Sequence, residues 1–362
     1  MQRAASQGVQ RTALDRDAIG RRLLLGAGAA LIAAAFLSLS VGPTGITLAA
    51  LPRALGAALT GSDDPTLLRE QLVLFSIRLP RTLLGVFVGA SLGVAGAMMQ
   101  GLFRNPLADP RIIGVSSGAA LAAVATIALG NTFAAPFTGA FSVYALPFAA
   151  FAGGLVTTTL LVAIAGRHGQ LMIGTLLLAG IALGAIAEAL IGLISYASDD
   201  RELRDLTLWL LGSLSGSSWP KVMAILPFAL AIAIVLPRVI RALNGFLLGE
   251  AEAFHLGVDV ERTKRLVTLA TAASVGAAVA VAGIVGFVGI VVPHLVRLIA
   301  GPDHRFVLPG SALLGATLLL FADVIARMVV RPAELPLGIV MAAIGAPVFL
   351  HLVVRRGIGG VE

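Results

Sequence analysis

Ten apolar runs, separated by short charged or glycine- and proline-rich breaks, dominate this chain of 362 residues. They lie near 22–41, 80–103, 112–130, 144–166, 170–195, 222–242, 263–283, 285–300, 306–330 and 335–354. A helix needs about 20 apolar residues to cross the hydrocarbon core of a bilayer, and most of the runs meet that length. Composition closes the alternatives. Only 12% of residues are charged and 58% are apolar, against about 25% and 45–50% in soluble domains. Too little polar surface exists to cover a water-soluble globule of this size, and so apolar a chain is not disordered. The expected fold is therefore an all-α polytopic membrane protein with about ten transmembrane helices.

Charge orients it. An even number of spans puts both termini on one side of the membrane. With that side cytoplasmic, the inner segments collect most of the 26 Lys and Arg residues, among them Arg3, Arg11, Arg16, Arg21, Arg22, Arg238, Arg241, Arg262, Lys264 and Arg265. This is the positive-inside pattern. Residues 1–22 then form a cytoplasmic N-terminal segment, 23–356 a ten-helix membrane domain with a long inner loop at about 244–262, and 357–362 a cytoplasmic tail. Arg21-Arg22 followed by an apolar run also fits a secretory signal, but the run is long for a signal core and no clear small-x-small site follows. The net charge of +7 is scattered between spans rather than gathered into a patch, which argues against nucleic acid as a partner.

Catalytic chemistry is poorly supplied. Cysteine is absent, which removes disulfides, thiolate metal sites and cysteine nucleophiles. The sequence contains neither G-x-x-x-x-G-K-[ST] nor H-E-x-x-H. Gly114-Val-Ser-Ser-Gly118 matches G-x-S-x-G, but it opens a membrane helix rather than the strand–turn–helix that a nucleophile elbow requires. Gly85, Gly89 and Gly93 recur every four residues, as do Gly180 and Gly184, and such stripes let helices approach closely in lipid. Val88–Gly96 and Val275–Gly283 echo one another in spans that run in opposite directions, which fits an inverted repeat or chance in so Ala/Val/Gly-rich a chain. Glu188 sits mid-span, where an ionisable group is costly and marks a functional candidate.

Several motifs occur in a fixed order: Arg78-Leu-Pro-Arg81, Arg104-Asn-Pro-Leu-Ala-Asp-Pro110, Gly114–Ala119, Leu178–Leu183, Leu248–Gly257 and Gly283–Gly289. Pro293–Arg297, Ala322–Arg327, Glu334–Gly338 and Gly345–Phe349 complete the series. Together they resemble the FecCD-type permease subunits of ABC importers for iron–siderophores, haem and cobalamin. The resemblance implies ten spans per subunit, a homodimer around one pathway, two ATP-binding subunits inside and a periplasmic substrate-binding protein outside. It implies a bacterial inner-membrane location, ATP and Mg used by the partner ATPase, and no cofactor bound by this chain.

Residue by residue, the resemblance assigns Arg78, Arg81 and Arg327 to docking of the binding protein. Asp323, one turn before Arg327, could instead neutralise it within the helix, and Arg331 could substitute. Gly249, Glu250, Glu252, Ala253, Leu256 and Gly257 resemble the segment that couples permease to ATPase. Arg104, Asn105 and Pro106 belong to an inner loop of unassigned role, and Glu188 lies on a helix that lines the pathway in this family. Met99–Pro110 looks most like haem-importing members, so haem is the expected cargo, with ferric siderophore and then cobalamin behind it. An ion-coupled secondary transporter is the rival class. Such carriers usually use intramembrane ionisable groups, and Glu188 and Asp323 are nearly all that this chain offers.

Overall fold

A computed structural model describes residues 2–42, 52–53, 56, 64–133, 142–167, 170–330 and 333–356. Arg331 and the tail 357–362 lie outside the described residues. The chain is almost wholly helical. The helices are α1 (Gln2–Ser40), α2 (Pro65–Leu102), α3 (Val115–Phe133), α4 (Ser142–Ala165), α5 (Ile173–Ala197) and α6 (Asp200–Leu210). Then follow α7 (Trp219–Phe246), α8 (Glu250–His255), α9 (Val260–Ala282), α10 (Val288–Ala300), α11 (His304–Val329) and α12 (Leu337–Arg356). A two-stranded hairpin, β1 (Gly166–Arg167) with β2 (Gln170–Leu171), joins α4 to α5. Among the described residues, 7 helices are long and apolar enough to span a membrane. Shorter apolar helices Val115–Ala128, Val288–Ala300 and Leu337–His351 occupy the remaining expected spans. "Outer" and "inner" below denote the ends that the charge pattern assigns.

Two helices form the centre. The apolar windows of α2 and α9 are 78% and 72% buried, while those of α5 and α7 are 11% and 17% buried and lie on the periphery. Glycines allow this close packing. A Cβ added to Gly89 would overlap the Gly315 backbone of α11, one at Gly93 the Ser311 carbonyl, and one at Gly96 the Gly289 carbonyl of α10. With lipid tails as apolar as the helices themselves, such backbone contact rather than apolar burial holds the bundle together. α9 meets α2 at the edge of the echoing segments: Ser274 Oγ of α9, one residue before Val275, donates to the Ser91 carbonyl of α2 at 3.0 Å.

Three features depart from the sequence reading. The second helix begins at Pro65 rather than near residue 80, and its residues Val73–Arg78 widen into a π turn. Pro80 causes this, because it has no N–H to donate and its ring crowds the carbonyl four residues back. The polar stretch after α5 contains the amphipathic helix α6, capped reciprocally by Asp199 and Glu202. Finally, the run 285–300 is not one full span. α9 ends at Gly283 with φ 69°, an extended segment follows, and α10 then has only 13 residues, about 20 Å of helix against a hydrocarbon core of about 30 Å. Phe287, at φ 68°, opens α10 in a left-handed conformation with its ring against Gly345 of α12.

Gly93→Val should therefore force α2 and α11 apart and cost about 3 kcal/mol or more, seen as a lower melting temperature in detergent. Gly174→Ala, where an added Cβ meets nothing within 4 Å, should leave melting unchanged. Equal melting of the two variants would remove the glycine contact as the basis of packing.

Candidate functional site

Arg78 and Arg81 reach one point at the outer end because the π turn and Pro80 place them on the face of α2 that meets α1 and α11. Arg81 uses its whole guanidinium fork. Nε and Nη2 donate to Asp323 at 3.0 and 2.8 Å, and Nη1 and Nη2 donate to Glu334 at 2.9 Å each. Arg327 pairs with Asp323, four residues earlier, at 3.0 Å, and also donates to Ser38 Oγ at 3.2 Å and the Val41 carbonyl at 3.1 Å. Arg78 donates to the carbonyls of Leu39 and Ser40. The side chains of Arg81, Arg327 and Asp323 are 10%, 4% and 0% exposed. The three arginines thus share one end of the molecule, as the sequence suggests. Their guanidinium groups, however, are turned onto acceptors of this chain rather than onto open surface.

At the inner end, α8 is framed by Gly249 (φ 118°) and Gly257 (φ 83°), conformations that L-residues rarely adopt. Ala253 is fully buried against Gly245 at the end of α7. Lys264 of α9 reaches back to Glu250 at 2.8 Å and to Glu261 at 3.3 Å, and Glu261 accepts the Leu171 N–H at 2.6 Å. Glu250 is therefore committed to holding the loop. The open side of α8 is apolar: Leu248, Phe254 and Leu256 are 65%, 67% and 65% exposed. Beside it lies a cleft of about 1010 Å³ between α8 and the β-hairpin, lined by Met172, Phe254 and Glu261.

Arg104 and Asn105 form a local turn. Arg104 is exposed at φ 50°, Asn105 Oδ1 accepts the Leu107 N–H at 2.9 Å, and Pro106 is exposed. Gln100, one turn earlier, does more. Its Nε2 donates to the Gly289 and Ile290 carbonyls at 3.2 Å each, and its Oε1 accepts from Arg297, which also donates to the Ala97 carbonyl at 3.3 Å. These contacts tie α10 to α2. Glu188 sits on α5 and is exposed on this chain.

Sequence reasoning finds the arginines and Asp323, since an (i, i+4) pair on one helix face is readable. It misses Glu334 as the second partner of Arg81, 253 residues away, and Lys264 as the anchor of Glu250. No periodic pattern encodes either pairing; only the closed bundle brings them together.

A bundle of this many apolar helices, with a buried charge cluster at one end and an exposed apolar loop at the other, is the architecture of a polytopic membrane protein. The chain belongs to the FecCD transport family, whose profile matches residues 30–355. It is 45% identical over 289 residues to the hemin transport system permease protein HmuU of Yersinia pestis, covering 78% of this chain and 83% of that protein. It is 43% identical over 290 residues to the cobalamin import system permease protein BtuC of Halobacterium salinarum, covering 79% and 74%. A solved structure of an inward-facing transporter assigned to the metal-chelate ABC type superposes with a TM-score of 0.79 at 34% identity. That match covers 92% of this chain and 99% of the other. The chain is thus a permease subunit of an ABC importer, a multi-pass translocation component, and the secondary-carrier alternative is set aside.

Asp323→Asn should leave two buried guanidinium groups short of a counter-charge and destabilise the protein by about 3–5 kcal/mol. Glu334→Gln should cost less, because Arg81 retains Asp323 and Glu334 is 29% exposed. Melting in detergent ranks the two, and the reverse order would refute Asp323 as the centre of the cluster.

Proposed function

We propose that this chain imports haem across the bacterial inner membrane as a homodimer, driven by two ATP-binding subunits and fed by a periplasmic binding protein. The observation that carries the cargo assignment is the 45% identity to a hemin transport permease, supported by the resemblance of Met99–Pro110 to haem-importing members. A second reading, cobalamin, is favoured by the 43% identity to a cobalamin permease. Ferric siderophore is the third. In each case the chain binds no cofactor of its own, and ATP and Mg belong to the partner ATPase.

The inner loop is the coupling element in this proposal. Glu250 and Ala253 seat α8 on its own subunit, Gly249 and Gly257 shape its ends, and Phe254, Leu256 and Glu252 face the ATPase. An apolar patch rimmed by acidic groups suits a cleft on a partner. Arg78, Arg81 and Arg327 supply the docking charge outside: three guanidinium groups meet two carboxylates, so the cluster presents a surplus of positive charge to acidic residues of a binding protein. Glu188, on the exposed face of α5, lines the pathway between the two copies. Ligand and nucleotide then bias an equilibrium between inward- and outward-open states.

Reconstituted vesicles holding permease, ATPase and cognate binding protein decide the cargo. Haem should raise ATP hydrolysis and accumulate inside, while the permease alone should hydrolyse nothing. Greater uptake of cobalamin than of haem would replace the first reading by the second. Leu256→Glu should abolish stimulated hydrolysis while leaving membrane insertion intact. Arg78→Gln should weaken association of the binding protein and flatten its dependence on salt; unchanged affinity in low and high salt would remove that residue from docking.

A further inference from the structure

We propose that a second cavity, at the outer end and bordering the arginine cluster at Glu334, holds the phosphate of an anionic phospholipid of the outer leaflet. The cavity has a volume of about 570 Å³ and is lined by Leu146 of α4, Leu208 and Trp209 of α6, Ser213, Lys221 of α7 and Glu334. Lys221 is half-buried, and among the described residues its ammonium has neither a hydrogen bond nor an ion pair. The chain's other lysine, Lys264, is by contrast held by two carboxylates. The one acidic residue of the cavity, Glu334, has both oxygens committed to Arg81. An unspent positive charge therefore faces a mostly apolar enclosure, and an anion with an apolar body is its complement.

Depth identifies which anion. The sequence has only 2 tryptophans, and both stand here. Trp209 lines the cavity, and Trp219, two residues before Lys221, donates its Nε1–H to the Phe75 carbonyl at 2.9 Å. Tryptophan beside lysine marks the headgroup level of a bilayer. α7 starts at this point, its cap residue Ser218 offers no side-chain hydrogen bond, and the positive end of a helix adds to the attraction for an anion. The apolar walls come from Leu146 and Pro147 of α4, Leu208 of α6 and Ala280–Ala282 of α9, and α4, whose apolar window is only 28% buried, leaves a side on which an acyl chain can lie. A free phosphate would share the oxyanion chemistry but leave the apolar walls unused.

The tryptophans report on their own site. The permease is placed in bilayer discs of phosphatidylcholine containing increasing amounts of lipid with brominated acyl chains, and tryptophan quenching is followed. Brominated phosphatidylglycerol should quench at a mole fraction about fivefold lower than brominated phosphatidylcholine, the effect of one lysine near an anionic lipid. Lys221→Gln should abolish that preference and Lys221→Arg should retain it, with melting confirming that both fold. In the wild-type protein, which avoids any folding question, unbrominated phosphatidylglycerol should relieve the quenching and soluble glycerol phosphate should not. Equal quenching by the two lipids would overturn the proposal, as would a preference that survives Lys221→Gln. Relief by glycerol phosphate equal to that by phosphatidylglycerol would assign the site to a free anion and overturn the lipid assignment.

Discussion

Backbone-to-backbone contact along α2 is the constraint on which the rest of the structure depends. Gly89 and Gly93 admit α11, and Gly96 admits α10, in a medium where apolar side chains gain nothing by leaving lipid for protein. Once these helices touch, their polar groups have fixed partners. Arg81 at the outer end of α2 meets Asp323 of α11, and Gln100 near its inner end meets the Gly289 and Ile290 carbonyls of α10. The glycine stripe thus brings α2 against α10 and α11, and these polar contacts form along the same seams.

The broken helix follows the same logic. Inside a membrane, backbone that leaves the helix must find protein partners or lose several kcal/mol for each orphaned group. Gly283 donates to the Val279 carbonyl, Ser213 donates to that of Ala282, and Gln100 covers two carbonyls at the start of α10. Interrupted helices of this kind mark binding regions in many transporters. Here the interruption is held by residues of α2 and of the loop after α6, so any movement of α10 must exchange those hydrogen bonds rather than merely slide past them.

Much of this was legible in the sequence. Apolar runs and loop charge reported the helices, because span length and side preference are set by the bilayer itself. The glycine spacing marked α2 as an interface, and Asp323 with Arg327 was readable as a turn-spaced pair. The break after Gly283 was not, since 285–300 is apolar enough to look like a span and the signal lay only in its brevity. Helix α6 was missed although Asp199 and Glu202 spell a capping box, because a polar stretch between spans reads as loop. The long-range partners Glu334 and Lys264 carry no local pattern, and the burial of the arginines depends on neighbours far away in the chain.

The two ends of the molecule differ in what they leave unsatisfied. At the outer end both carboxylates are already engaged: Asp323 is fully buried between two guanidinium groups and Glu334 closes the fork of Arg81. Coulombic attraction in such a dry site is strong, and opening it exposes charges that need replacement partners at once. At the inner end the polar groups are satisfied, with Lys264 between Glu250 and Glu261, while Leu248, Phe254 and Leu256 remain in the open. Apolar surface of this kind gains free energy from any complementary cover without first breaking a contact. An inner partner can therefore bind to α8 as it stands, whereas an acidic outer partner that engages Arg81 must displace a carboxylate already in place. If the docking roles proposed above hold, the inner association needs no prior rearrangement, whereas the outer one requires a rearrangement of the α2–α11 cluster.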